Sequence, residues 1–144
     1  MLPPDDLFRE HVLDPIPQSV TDIRADQSKK YRGYRYTLRF KIDRPDVVLL
    51  INAGSLKRVW NVKYKNGYLF WAWDTLNGYS LNGIDIIVYH PDGPPAPAWF
   101  KPELWENAEA YALCEKVDGQ IVNTKVLLFN EKEGEAYFIV ERMK

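Results

Sequence analysis

Hydrophobic and polar side chains alternate most regularly in the stretch YRYTLRFKI, residues 34–42. The polar positions are Arg35, Thr37, Arg39 and Lys41. A period of two residues predicts a β-strand with one face toward the core. We expect the aromatic residues to face the core and the cations to line a solvent-exposed face. There they can pair with acids such as Glu135 and Glu141 on a neighbouring strand.

The segment that follows this strand has the signals of a helix over about residues 44–53. Asp43 can cap it, Pro45 suits the first turn, and Gly54 can supply a left-handed stop. This is the main helix that the sequence predicts.

The N-terminal region is interrupted by prolines at positions 3, 4, 15 and 17, which prevent one continuous helix. Residues 5–13 can still form two helical turns, with Leu7, Phe8 and Val12 facing inward. We expect residues 1–20 to pack on the domain as an arm. The polar stretch TDIRADQSKK, residues 21–30, is expected to be a loop.

Glycine-containing turns predict three hairpins, at Asn66-Gly67, Asp118-Gly119 and Glu133-Gly134. The first of them makes residues 68–73 (YLFWAW) a strand. Both faces of that strand are apolar, which favours a core strand over a ligand-binding face.

The proline-rich segment 91–102 is expected to be an extended loop that Trp99 and Phe100 hold against the domain. The predicted fold is therefore a single α+β domain over residues 1–144. Its main part is an antiparallel sheet built from hairpins, with one main helix.

Composition narrows the functional classes. The chain has 144 residues, 46% hydrophobic, a net charge of −1 and a pI near 6.1, so no global field attracts it to nucleic acid or an anionic membrane. Cys114 is the only cysteine, so the chain has no internal disulfide. Apolar runs such as residues 47–51 are too short to span a bilayer. We expect a soluble chain, either cytoplasmic or exported with its signal removed.

The basic stretch KKYRGYRYTLRFK interleaves cations with aromatic rings, as a single-strand nucleic-acid platform does. Alternation places the rings and the cations on opposite faces. A solvated face is therefore favoured, an anionic or acidic partner comes second, and nucleic acid comes last.

Candidate catalytic residues are few. Asp74, Asp85 and His90 surround one segment and could serve as acids and bases in a cleft. A turn histidine is the favoured interpretation of His90, and among twenty acidic residues chance pairs of carboxylates are inevitable. Neither histidine has a metal-binding spacing, and no phosphate loop, nucleophile elbow or dinucleotide fingerprint is present, so no metal or cofactor is expected.

Aromatic residues in or near loops are the best functional signal. Such side chains build sites for sugars or peptides, although they also cover the edges of small cores. The candidate contacts are Trp73, Tyr79, Trp99, Trp105, Arg35 and Arg39.

Three stretches, HVLDPIPQSVTDI (11–23), YRYTLRFKI (34–42) and PAPAWFKP (95–102), together resemble a group of uncharacterised bacterial proteins. Members of that group are often exported or lipid-anchored. The resemblance implies a stand-alone domain and export, and it brings no catalytic residues.

Three functional hypotheses follow. The first is a non-catalytic binding or interaction domain for a protein or cell-envelope component. The second is a small hydrolase that uses acids and His90 near residues 74–92, and the third is a purely structural domain. A non-catalytic role is favoured, and the oligomeric state stays open.

Overall fold

The computed structural model describes residues 2–30, 33–65, 68–73, 75–76, 79–80, 84–87, 97–101 and 108–143. Its helices are α1 (Pro4–His11) and α2 (Arg44–Gly54). Its strands are β1 (Thr21–Lys30), β2 (Gly33–Lys41), β3 (Lys57–Lys65), β4 (Tyr68–Trp73), β5 (Thr75–Leu76), β6 (Tyr79–Ser80), β7 (Ile84–Ile87), β8 (Glu109–Val117), β9 (Gln120–Asn130) and β10 (Glu135–Met143). Among the described residues, no helix is long and apolar enough to cross a membrane.

One antiparallel sheet dominates the described part of the chain, with the strand order β1-β2-β10-β9-β8-β3-β4-β7. The α+β fold predicted from the sequence is confirmed. At the β8–β9 turn Asp118 and Gly119 both have positive φ, 52° and 80°, as a type I′ turn requires. Gly134, φ 63°, lies in the β9–β10 turn. β3 and β4 also pair as predicted, while residues 66–67 lie outside the described residues.

The expected loop at residues 21–30 is wrong, because this stretch is strand β1. It pairs antiparallel with β2 from Thr21↔Lys41 to Lys30↔Gly33. β1 is the last strand on its side of the sheet. An edge strand tolerates polar residues on both faces, so the hydrophobic pattern that marks β2 is missing from β1.

α1 and α2 cover one face of the sheet, which we call the helix face. Its buried strand residues are Leu38, Phe40, Leu127, Phe129, Ala136, Phe138 and Val140. Phe8 of α1 packs edge to face on Phe40, with ring centroids 5.1 Å apart. Val47 and Leu50 of α2 join the same core, and so does the partly buried Val12. Phe8 and Val12 of the N-terminal region therefore contribute to this core.

α2 differs from its prediction at both ends. Asp43 makes no side-chain cap. Ser19 instead links the arm to the start of the helix, since its hydroxyl accepts the Asp43 N–H at 3.0 Å and donates to Asp46 at 2.5 Å. The left-handed residue at the C-terminus is Ser55, φ 53°, and Gly54 is helical. A Cβ at Gly54 would lie 3.3 Å from the Leu56 side chain, so the missing side chain at this position leaves room for Leu56.

The opposite face of the sheet, which we call the second face, is also buried at its centre. The buried strand residues described on this face are Arg35, Thr37, Val59, Ala110, Ala112, Thr124, Val126, Leu128, Asn130, Tyr137, Ile139 and Glu141. Unlike the helix face, it mixes polar and apolar side chains.

Candidate functional site

A β-bulge interrupts the β1–β2 ladder near one end of the edge strand. Thr21 pairs with Lys41 and Arg24 with Arg39, so Asp22 and Ile23 together lie opposite a single residue of β2. Asp22 takes a left-handed conformation with φ 53°, as aspartate does more readily than most residues. A bulge bends the strand locally and redirects its side chains.

Beside this bulge lies a cavity of ≈ 500 Å³, which we call the bulge cavity. Its lining residues are Asp22, Ile23, Arg24, Arg39, Phe40, Lys41 and Glu135. The side chains come from three strands, and they bring three cations and two carboxylates around one space. The volume lies within the ~300–1,000 Å³ that ligand sites commonly have.

The two ion pairs in the cavity differ in how firmly they are held. Arg39 Nη2 lies 2.7 Å from Glu135 Oε2, and these side chains are only 30% and 20% exposed. Lys41 Nζ lies 3.5 Å from Asp22 Oδ2, with exposures of 57% and 70%. The Arg39–Glu135 pair is therefore held in place and forms one wall of the cavity. The Lys41–Asp22 pair is exposed, and such a pair contributes about 1 kcal/mol or less to stability.

Arg24 carries the remaining positive charge. Its side chain is exposed, and within the described part of the chain it has no ion pair. The cavity thus has one formal positive charge beyond its carboxylates.

Arg39 is also held from the side by the described end of the proline-rich segment. Its Nη1 donates to the Trp99 carbonyl at 3.4 Å, and its guanidinium lies 5.7 Å from the Tyr137 ring centroid. The Tyr137 hydroxyl donates to the same carbonyl at 2.9 Å and accepts the Lys101 N–H at 3.1 Å. The Trp99 ring stacks on Tyr137 at 6.5 Å, so residues 97–101 are docked on the second face.

Two of the candidate contacts predicted from the sequence therefore meet. Arg39 and Trp99 are sixty residues apart in the chain and are joined by a hydrogen bond. The predicted pairing of β2 cations with Glu135 is confirmed for Arg39. The predicted anchoring of the proline-rich segment is confirmed for Trp99 and Phe100, since Phe100 is buried with its ring 4.8 Å from that of Tyr137.

Arg35 corrects a prediction. Its side chain is 2% exposed, so the expectation that it lines a solvent face is wrong. The register places it opposite Glu141, and Glu141 opposite Thr124, which in turn lies opposite Cys114. These side chains form a polar row across four strands, in which Thr124 Oγ1 lies 3.8 Å from Cys114 Sγ. Strand alternation shows which face Arg35 occupies but not whether that face is covered.

The other candidate residues fall largely outside the description. Asp74, His90 and Trp105 lie outside the described residues. Trp73, Asp85 and Tyr79 belong to β4, β7 and β6, and their side chains are outside the described part of the structure. The predicted burial of residues 68–73 likewise stays a prediction.

A second charged cluster joins α2 to the sheet. Arg44 pairs with Glu109 of β8 and, at 2.8 Å, with Glu131. Hydrogen bonding to Arg44 lowers the pKa of Glu109, and the Tyr111 hydroxyl, which donates to Glu109 at 2.8 Å, contributes to that shift. Burial, reinforced by Glu109, raises the pKa of Tyr111. All of these donors and acceptors are engaged with one another, so the cluster anchors α2.

His11 is the buried titratable group of the helix face. Its ring stacks on Tyr36 at 3.8 Å, and Nδ1 is buried without a hydrogen-bond partner in the described part of the chain. Burial lowers its pKa, and the positive charges of Arg142 and Lys125 add to the shift while Glu10 opposes it.

In the regions that the structure describes, no group of three His, Cys, Asp or Glu residues is placed to hold a metal ion. Comparisons with family models, curated proteins and solved structures found no match. The bulge cavity is therefore the feature from which a function is inferred. Sequence reasoning missed the parts that Asp22 and Arg24 play in it, because both lie in the stretch expected to be a loop.

Proposed function

We propose that this protein is a non-catalytic binding or interaction domain whose contact surface is the bulge cavity and the Arg39–Trp99 corner beside it. The cavity carries the proposal. It combines ligand-like volume, a held Arg39–Glu135 pair and an uncompensated cation at Arg24. A few fixed polar groups around a concave space are the usual basis of orientation and specificity in ligand sites.

The residues that line the bulge cavity favour ligand binding over catalysis. Among the residues that the structure describes, the lining contains no serine, cysteine, histidine or tyrosine, and these residues therefore offer neither a hydroxyl or thiol nucleophile nor an imidazole base. Its two carboxylates each lie beside a cation, Glu135 with Arg39 and Asp22 with Lys41. Such groups are suited to bind a polar molecule and to hold it in one orientation.

The partner that we propose is a protein or a cell-envelope component. The support for an envelope location is the resemblance to bacterial proteins that are often exported or lipid-anchored. A hydrolase centred on Asp74, Asp85 and His90 remains the competing enzymatic hypothesis, and a purely structural domain is the third.

A ligand panel can separate these three hypotheses. We would measure the thermal stability of the protein with small carboxylic acids, polyamines, neutral sugars and short peptides, and assay it with chromogenic esters, glycosides and phosphate esters. The binding hypothesis predicts that a panel compound raises Tm in the parent, that Arg24→Gln lowers this response, and that no substrate is hydrolysed.

Two results would overturn the proposal. Hydrolysis that is abolished by Asp85→Asn would establish the enzyme. A panel in which no compound of any class raises Tm would favour the structural role.

A further inference from the structure

We infer that the bulge cavity is a carboxylate site, which takes the terminal carboxylate of an N-acylated amino acid or of a peptide. This inference rests on the proposed binding function and names the ligand class for the same site. Both sources present the same chemistry, a singly charged carboxylate next to an amide N–H.

The charge balance of the cavity selects a singly charged anion. Three cations and two carboxylates leave one positive charge, and Arg24 is the cation that has no ion pair among the described residues. A ligand with one negative charge completes that balance. A phosphate group carries about −1.5 to −2 at neutral pH, and it would add repulsion from Asp22 and Glu135.

The two exposed cations of the cavity, Arg24 and Lys41, can bind a ligand without breaking a closed network of ion pairs. Among the described residues, the ion pair of Lys41 is a 3.5 Å contact to the exposed Asp22, so a ligand carboxylate can replace Asp22 at low cost. The Arg24 guanidinium offers a planar fork that matches a carboxylate in two parallel hydrogen bonds. Arg39 is engaged with Glu135 and the Trp99 carbonyl, so it shapes the wall of the cavity.

The bulge supplies a place for the amide that adjoins the carboxylate. Asp22 and Ile23 have no partners in the β1–β2 register, and β1 is the terminal strand of the described sheet. Main-chain groups at a bulged edge can hydrogen-bond an extended peptide, a common mode of peptide recognition. A carboxylate between Arg24 and Lys41 would place its neighbouring amide at this bulge.

The test compares matched peptides by isothermal titration calorimetry. The probes are N-acetyl-tetraalanine with a free C-terminus, the same peptide as its C-terminal amide, N-acetylalanine, and inorganic phosphate. We expect the free acid to bind at least about tenfold more tightly than the amide, the factor that corresponds to about 1.4 kcal/mol. Tighter binding of the tetrapeptide acid than of N-acetylalanine would identify a peptide terminus as the source, and equal binding would identify a small acid.

Variants of lining residues test whether the free acid binds in the bulge cavity. Arg24→Gln and Lys41→Gln each remove one exposed cation of the lining, and each should weaken binding of the free acid about tenfold. Arg9→Gln is the matched control, because Arg9 is an exposed arginine on α1 that pairs with Asp6 and does not line the cavity. It should leave binding unchanged, and all three variants should keep the melting temperature of the parent.

Several results would overturn the carboxylate site. They are equal binding of acid and amide, phosphate binding more tightly than the acid, no binding by any of the four probes, and equal loss in Arg9→Gln. None of these decides the proposed function, which fails on other results: a wider ligand panel that yields no binder, or hydrolysis that Asp85→Asn abolishes.

Discussion

The two faces of the sheet are both buried at their centre, yet they are built differently. The buried strand residues of the helix face are all apolar, and α1 and α2 cover them. The second face buries Arg35, Thr37, Thr124 and Glu141 among its apolar side chains, and near the edge strand it opens into the charged bulge cavity. The comparison indicates that the helix face serves stability, and the site that we propose for binding lies where the second face reaches the edge strand.

The largest expected effect on the free energy of unfolding tests how much the helix face contributes to stability. Phe138→Ala removes a buried ring from this apolar core, and we expect a loss of about 4 kcal/mol in the free energy of unfolding. Denaturant unfolding measures it. A loss below about 1 kcal/mol would mean that the helix face does not dominate stability.

The next prediction concerns the buried charges of the second face. Arg35→Met leaves Glu141 buried without the cation opposite it, and we expect a loss of about 3 kcal/mol. The double variant Arg35→Met/Glu141→Leu should recover most of that stability, because it removes both charges. Equal instability of the single and double variants would contradict a coupling between these residues.

A smaller effect is expected where the proline-rich segment docks. Tyr137→Phe removes the hydroxyl that joins the Trp99 carbonyl and the Lys101 N–H, with an expected loss of about 1–2 kcal/mol. Tyr36→Phe is the control, since within the described residues the Tyr36 hydroxyl has no hydrogen bond. Equal effects of the two variants would show that the hydroxyl of Tyr137 does not hold the segment.

The smallest effect is a pH dependence of the helix face. Burial of His11 lowers its pKa below the ordinary 6.5, so the unfolded chain takes up this proton more readily than the folded one. The contribution of neutral His11 to stability is therefore complete above about pH 6.5 and is lost as the pH falls through the lowered pKa. Melting temperatures of the parent and of His11→Gln between pH 5 and 8 test this.

For this last prediction, the parent should lose more stability than His11→Gln on acidification. The same slope in both proteins would mean that other groups carry the acid sensitivity. The charged groups around His11, namely Glu10, Lys125 and Arg142, stay in place in both.

The sequence predicted the elements whose local signals agree with their packing. β2 has strict alternation, α2 has a proline in its first turn, and Asp118-Gly119 takes the positive φ angles that such a pair favours. The edge strand β1 could not be predicted in this way. Its pairing depends on β2, and a polar edge strand shows no period of its own.

The candidate site was predicted only in part. Arg39 is a candidate as a cation on a strand and Trp99 as an aromatic residue in a loop, and only the tertiary structure brings them together. The bulge at Asp22 follows from a register shift between two strands, which composition and alternation do not specify. Arg35 was misplaced for a related reason, because what covers a sheet face is decided by distant segments.

The most direct test of the binding assignment is a backbone-amide chemical-shift map of the protein with saturating N-acetyl-tetraalanine acid. The account predicts that the shifts cluster at residues 22–24 and 39–41 and leave α1 and α2 unchanged. Shifts centred on the helices, or no shifts around the bulge, would contradict the claim that this end of the sheet is the binding site.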